Sequence, residues 1–127
     1  MRAYLFLCDE VTETECLQRR LVGTTYANAI WAAAIQAKDE VFLYNFHTGS
    51  LLGPFFAAST ADCHCPDAWG GRFPIQVRIE ATALTRRANT GASAFPLPTR
   101  KRRPSGVLEE QVRDSLVAWL ARVGSRF

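Results

Sequence analysis

The sequence predicts an α+β fold: a curved, mixed to antiparallel sheet of about five or six strands, two short early helices and a closing C-terminal helix. Three observations carry this. Phe73, Ile75, Val77 and Ile79 alternate with Gln76, Arg78 and Glu80, the period of a half-buried strand. Two apolar runs, Val41 to Phe46 and Leu51 to Ser59, flank the turn His47-Thr48-Gly49-Ser50, which makes them hairpin partners. Near the C-terminus, Leu108, Val112, Leu116, Leu120 and Val123 recur at three- and four-residue steps, the stripe of an amphipathic helix.

The elements follow in order. Ala3 to Leu7 is an apolar run stopped by Asp9-Glu10 and reads as a buried first strand. Thr12-Glu13-Thr14-Glu15 has the Thr-to-Glu spacing of a capping box, so a short helix is expected to start there, turn Cys16, Leu17 and Leu21 inward and end at Gly23. Thr24-Thr25-Tyr26 reads as a loop and Asn28 to Ala37 as a second, Ala-rich helix around Trp31. Gly53-Pro54 predicts a bulge or an edge position in the return strand of the hairpin. Thr60 to Gly71 is a long loop, Phe73 to Leu84 the alternating strand, and Phe95 and Leu97 mark a further short strand. Trp119 borders the apolar face of the last helix and is expected to pack.

The 127 residues suit one domain over 1–127, long enough to bury a core without staples. The apolar fraction of 48% and charged fraction of 21% are those of a soluble globular chain. The net charge of +3 hides an asymmetry. No acidic residue lies between Glu80 and Glu109, whereas Arg86, Arg87, Arg100, Lys101, Arg102 and Arg103 all do. A slightly acidic body therefore carries a basic loop at about 85–107. Such a loop can meet a phosphate backbone, act as a nuclear import signal, or simply be solvated. The apolar start is too short to span a bilayer and lacks a signal-peptide pattern, which reads as an intracellular, cytoplasmic protein without a membrane partner.

Cys8 and Cys16 lie on apolar faces and read as small core residues. Cys63-His64-Cys65 lacks the two-residue separation of a zinc knuckle, so no metal and no cofactor is expected. His47 and His64 are available as bases, but no nucleophile motif accompanies them, and no catalytic residue is assigned.

The run Asp67-Ala68-Trp69-Gly70-Gly71-Arg72-Phe73 is the candidate site. Glycines let the backbone turn sharply or approach a ligand. A Trp and an Arg at the mouth of such a turn suit a planar ring such as a nucleobase. The competing reading makes Trp69 a core aromatic that closes one end of the sheet.

The strings Tyr4-Leu5-Phe6-Leu7-Cys8, Glu15-Cys16-Leu17, Leu21-Val22-Gly23, Val41 to Phe46, Leu52-Gly53 and Ala68 to Arg78 occur in an order that resembles the development and cell death (DCD) domain, from about residue 3 to residue 84. The same middle is similar to the YTH and EVE modules of the PUA-like superfamily. That resemblance implies a PUA-like barrel. It also implies nucleic-acid binding, with RNA ahead of DNA, and in some relatives a modified base held in an aromatic cage. It places Trp69 where one cage Trp would lie. The first cage Trp would fall around Val22 to Tyr26, where only Tyr26 is aromatic, with Trp31 later.

The reading that follows is a non-enzymatic nucleic-acid-binding module. Trp69 stacks with Arg72 beside it, Trp31 or Tyr26 forms a second wall, and Thr24, Thr25 or Asn45 bonds the base edge. Arg86, Arg87, Arg100, Lys101, Arg102 and Arg103 follow the phosphates. The alternative is a protein-interaction module in stress or cell-death-type signalling, because Trp and Arg are also enriched at protein interfaces.

Overall fold

The computed structural model describes residues 1–91 and 105–127. Its strands are β1 (Ala3–Cys8), β2 (Leu21–Thr24), β3 (Glu40–Asn45), β4 (Ser50–Ala57), β5 (Ile75–Asn89), β6 (Gly106–Leu108) and β7 (Ser125–Arg126); its helices are α1 (Glu10–Arg19), α2 (Ala29–Ala32) and α3 (Glu110–Val123). The strands form a curled, half-barrel sheet in the order β2-β5-β4-β3-β1-β6, with β7 pairing β5. The sheet is mixed. β1 runs parallel to β3, Ala3 opposite Glu40 through Cys8 opposite Asn45, and the remaining pairs are antiparallel. A parallel pair needs a crossover, and α1, β2 and α2 supply it.

The apolar runs of β1 and β3 are buried on both faces, and the side-chain alternation sorts them into two cores. Tyr4, Phe6, Val41 and Leu43 fill the inside of the curl with Leu21, Val22, Val77 and Trp69. Leu5, Phe42, Tyr44 and Leu51 turn to the other face and pack on Leu116, Trp119 and Leu120 of α3. The predicted stripe of the last helix is therefore its packing face, and Trp119 is buried in it. α3 is also tied to β3 by a bidentate pair: Arg113 donates from Nε to Glu40 Oε1 (2.5 Å) and from Nη2 to Oε2 (2.8 Å).

Several local expectations are corrected. α1 begins one turn early, because Asp9 and not Thr12 is its cap: the Asp9 carboxylate accepts from the Val11 and Thr12 amides, and the Thr12 hydroxyl accepts from the Asp9 amide. The helix ends at Arg20, which takes the left-handed conformation (φ 53°), so Gly23 is free to sit inside β2. The second helix is only a 3-10 turn, Tyr26–Asn28, followed by Ala29–Ala32; beyond it the Ala34 and Ile35 amides bond back three residues, to Trp31 and Ala32, and Ile35 is buried in the core. Gly53-Pro54 does produce a register shift, but in β4, an interior strand between β3 and β5.

Gln76 is buried and not solvent-facing. Its side chain clasps the preceding loop, accepting from the Cys65 amide (2.7 Å) and donating to the carbonyls of Cys65 (2.8 Å) and Phe73 (3.0 Å). β5 continues to Asn89, so positions 85–89 of the expected basic loop are strand, and 106–108 form β6. The predicted short strand at Phe95 and Leu97 lies outside the described residues.

Candidate nucleic-acid interface

Curling brings β2, one end of the strand order, back toward β1 near the other end. The two do not pair among the described residues. β6 bonds β1 only along Ala3–Leu5, so beyond Leu5 this edge of β1 has no strand partner among the described residues. The seam between them holds a cavity of about 240 Å³. Its floor and walls come from Phe6, Leu7 and Cys8 of β1, Gly23 and Thr24 of β2, Thr25, Asn28 and Trp31, with Phe46, Arg72, Phe73 and Ser105 at the sides. That volume is below the roughly 300–1,000 Å³ of pockets for drug-sized ligands and suits a single planar base.

The aromatic wall is fixed from behind. Trp31 stacks on Tyr4 (centroids 6.2 Å, 19°) and meets Phe6 edge-on (5.2 Å, 75°). Its indole Nε1 donates to Asn28 Oδ1 (3.1 Å), and Asn28 Nδ2 donates to Thr24 Oγ1 (2.7 Å). This chain of bonds orients the Trp31 ring from the start of α2 and leaves the Thr24 hydroxyl proton to donate elsewhere.

Two charged groups face the same seam. Asp9 Oδ1 receives the Val11 and Thr12 amides and the Thr12 hydroxyl, while Asp9 Oδ2 has no partner among the described residues. Hydrogen bonding from Thr12 and Val11, with the charge of Arg72, holds the Asp9 carboxyl below the usual carboxylate range. The exposed Arg72 guanidinium lies over the Phe73 ring at 5.1 Å and has no ion-pair partner among the described residues.

Trp69 is not in the seam. It is 5% exposed and packs in the core with its ring against Gly23 and edge-on to Phe73 (5.4 Å). Its indole Nε1 donates to the Thr12 carbonyl (3.2 Å) and its amide to Glu15 Oε2 (2.7 Å). Trp69, Gly70 and Gly71 all have positive φ (52°, 64° and 81°), so the two glycines serve a left-handed turn that tucks the indole inward. The expectation of a stacking Trp69 is corrected by this burial. Asn45 is likewise used internally: Oδ1 accepts from the His47 and Thr48 amides at the hairpin turn, and Nδ2 donates to Glu13. Tyr26 is 73% exposed and does not line the seam.

Of the expected site, the structure brings together Thr24, Thr25, Trp31 and Arg72, and adds Asp9, Phe6, Asn28, Phe46 and Phe73. Asp9 carries a recognisable signal as a helix cap; nothing in its sequence neighbourhood tells that it also faces a seam with Gly23 and Phe73.

Arg86 and Arg87 hold partners within the protein. Arg86 donates to the Ala83 and Thr85 carbonyls, and Arg87 pairs with Glu13 at 3.4 Å; both stand on β5 and not in a loop. Arg100, Lys101, Arg102 and Arg103 lie outside the described residues. In the Cys63-His64-Cys65 segment, His64 Nε2 contacts Ser59 Oγ and Cys65 Sγ accepts from Arg19 (3.1 Å). Burial pushes the Cys16 thiol up to about 12 and the Cys8 thiol also well above its usual range, so neither is a nucleophile at neutral pH.

A curled mixed sheet, three helices and an open seam define a YTH-like fold. The crystal structure of the Mmi1 YTH domain superposes with a TM-score of 0.69 over 96% of each chain at 15% identity. The YTH domain of Zygosaccharomyces rouxii MRB1, solved in complex with N6-methyladenosine RNA, gives 0.67 over 98% of this chain and 89% of that one at 12% identity. At these identities the likeness is one of fold. The chain itself belongs to the development and cell death domain family, whose model matches residues 2–103. It is 37% identical over 84 residues to the DCD domain-containing protein NRP-B of Glycine max, covering 60% of this chain and 26% of that protein. It is 37% identical over 84 residues to the B2 protein of Daucus carota, covering 60% of this chain and 41% of that one. The chain thus spans less than half the length of these relatives. No helix among the described residues is long and apolar enough to cross a membrane.

Proposed function

We propose that this domain binds single-stranded RNA without catalysing a reaction, and that one unpaired base enters the seam between β1 and β2. The observation that carries this reading is the seam itself: an aromatic-walled cavity of single-base size, beside a strand edge without a strand partner and an Arg72 without an ion pair among the described residues. Stacking on one base contributes about 1–3 kcal/mol. Phosphate contacts must add to it, and Arg72 with the run Arg100 to Arg103 are the cations proposed to make them. The fold neighbours solved with RNA support the choice of partner.

The test is fluorescence anisotropy with labelled single-stranded RNA across a salt series. Binding that weakens with salt, and that Trp31→Ala reduces roughly five- to hundredfold at fixed salt, supports the reading. Absence of binding at low salt by folded protein defeats it.

One observation favours the alternative of a protein partner. Tyr26 (73% exposed) and Ile30 (92% exposed) stand four residues apart on the surface of the 3-10 turn and α2. Capture of a protein partner that Tyr26→Ala/Ile30→Ala abolishes, with no RNA bound, supports that second reading.

A further inference from the structure

We infer that the seam groove selects guanine, a 6-oxo-2-amino purine, over adenine and N6-methyladenine, with Asp9 and Arg72 reading the base edge. The inference rests on the RNA-binding reading above and deepens it.

An ionised carboxylate only accepts hydrogen bonds, and a guanidinium only donates. Asp9 Oδ1 is occupied by its own helix cap, and Oδ2 has no partner among the described residues. The cap's amide donors also keep the group ionised at neutral pH. Arg72 stands on the same groove, and the two form no ion pair with each other. The groove therefore presents an acceptor-only oxygen and a donor-only cation, separated, beside the Phe73 ring that Arg72 overlies.

Guanine matches this set. Its N1–H and N2 amino group present adjacent donors to a carboxylate, while O6 and N7 accept from arginine. Adenine places the N1 lone pair next to the N6 group, so an acceptor faces an acceptor. Methylation at N6 removes one of the two amino protons and leaves N1 unchanged. A carboxylate at this position thus opposes adenine and its N6-methyl form, and among the described groove residues Trp31 is the single tryptophan, without the further Trp that a methyl cage would supply.

The experiment measures affinities of the intact chain for RNA heptamers in which one central G, A, N6-methyladenosine or inosine is flanked by three uridines on each side. The G heptamer is expected to bind on the order of tenfold or more tighter than A or N6-methyladenosine, the scale of a bidentate base contact. Inosine, without the N2 amino group, is expected in between. Asp9→Asn keeps a good helix cap and is expected to collapse the G preference toward unity while the melting temperature holds. Arg72→Gln, at an exposed position, is expected to weaken G more than A. Equal or tighter binding of A or N6-methyladenosine, or a G preference that survives both substitutions, overturns the inference and leaves RNA binding standing. No binding of any heptamer overturns the RNA-binding reading itself, and the inference with it.

Discussion

Trp69 shows how one residue can look like a ligand wall in sequence and act as a structural strut in space. Its neighbours Gly70, Gly71 and Arg72 have the composition of a site. Its backbone, at φ 52°, is held by the Glu15 carboxylate, and its ring fills the space over Gly23. A non-glycine residue in this region costs of order 1–3 kcal/mol and persists where the surroundings fix it. Trp69→Ala is therefore expected to lower folding stability by about 3–5 kcal/mol, measured by thermal or denaturant unfolding. A destabilisation of less than ~1 kcal/mol would place the indole outside the core.

Glu15 gives a pH test. The Trp69 amide, then the side chain and charge of Arg19, hold its carboxyl below the usual range. A depressed folded pKa stabilises the fold above the unfolded value, about 4.3, and that contribution disappears as pH falls through the folded pKa. Glu15→Ala is thus expected to melt below the parent at pH 7, with the gap narrowing as both proteins are acidified below about pH 4. A gap that stays constant with pH contradicts the role given to the charge.

At the scale of elements, β1, β3, β4, the first part of β5 and the last helix are legible in the sequence; β2, which the sequence reads as the end of the first helix, β6, β7 and the ends of the helices are not. Alternation in Phe73 to Ile79 and the stripe from Val112 to Leu120 report which face meets a core, a local property of period. The start of α1 is ambiguous in sequence because both Asp9 and Thr12 can cap; in the structure Asp9 takes the first amides and the Glu15 carboxylate is engaged with Trp69, 54 residues away. Gln76 faces outward by period, yet the loop it clasps needs a buried amide. α3 is joined to the sheet by Arg113 and the 3%-exposed Glu40. Arg113→Met leaves that carboxylate buried without its cation, and is expected to cost roughly 3 kcal/mol in denaturant unfolding. Arg113→Met/Glu40→Met, which removes both charges, is expected to recover most of that stability. Equal destabilisation in the single and double variants contradicts this account of the pair.

For the whole molecule, the charge asymmetry is the feature that sequence states and packing does not alter. Arg86 and Arg87 have internal partners, and the cations proposed to meet a backbone are Arg72 and the run at 100–103. Replacing Arg100, Lys101, Arg102 and Arg103 by Ala is expected to weaken RNA binding about equally for all sequences. It is also expected to flatten the dependence of log affinity on log salt, by up to roughly 0.7 for each phosphate the variant no longer neutralises. A quadruple variant that binds as the parent does at low salt assigns the run to solvent.

The sequence by itself determined the α+β class, the family resemblance, the apolar, buried character of β1, the packing face of α3 and the position of the basic run. Each is written in local period or in an ordered series of short strings. The tertiary structure alone decided which residues form the groove. The parallel pairing of β1 with β3 and the curl that returns β2 to β1 bring Asp9, Thr24, Trp31 and Arg72 to one seam from four separate stretches of the chain. The same curl buries Trp69, because the space over Gly23 exists only once the sheet has closed on itself. A side chain's exposure is a property of what surrounds it, and for this site the surroundings come from strands remote in the chain.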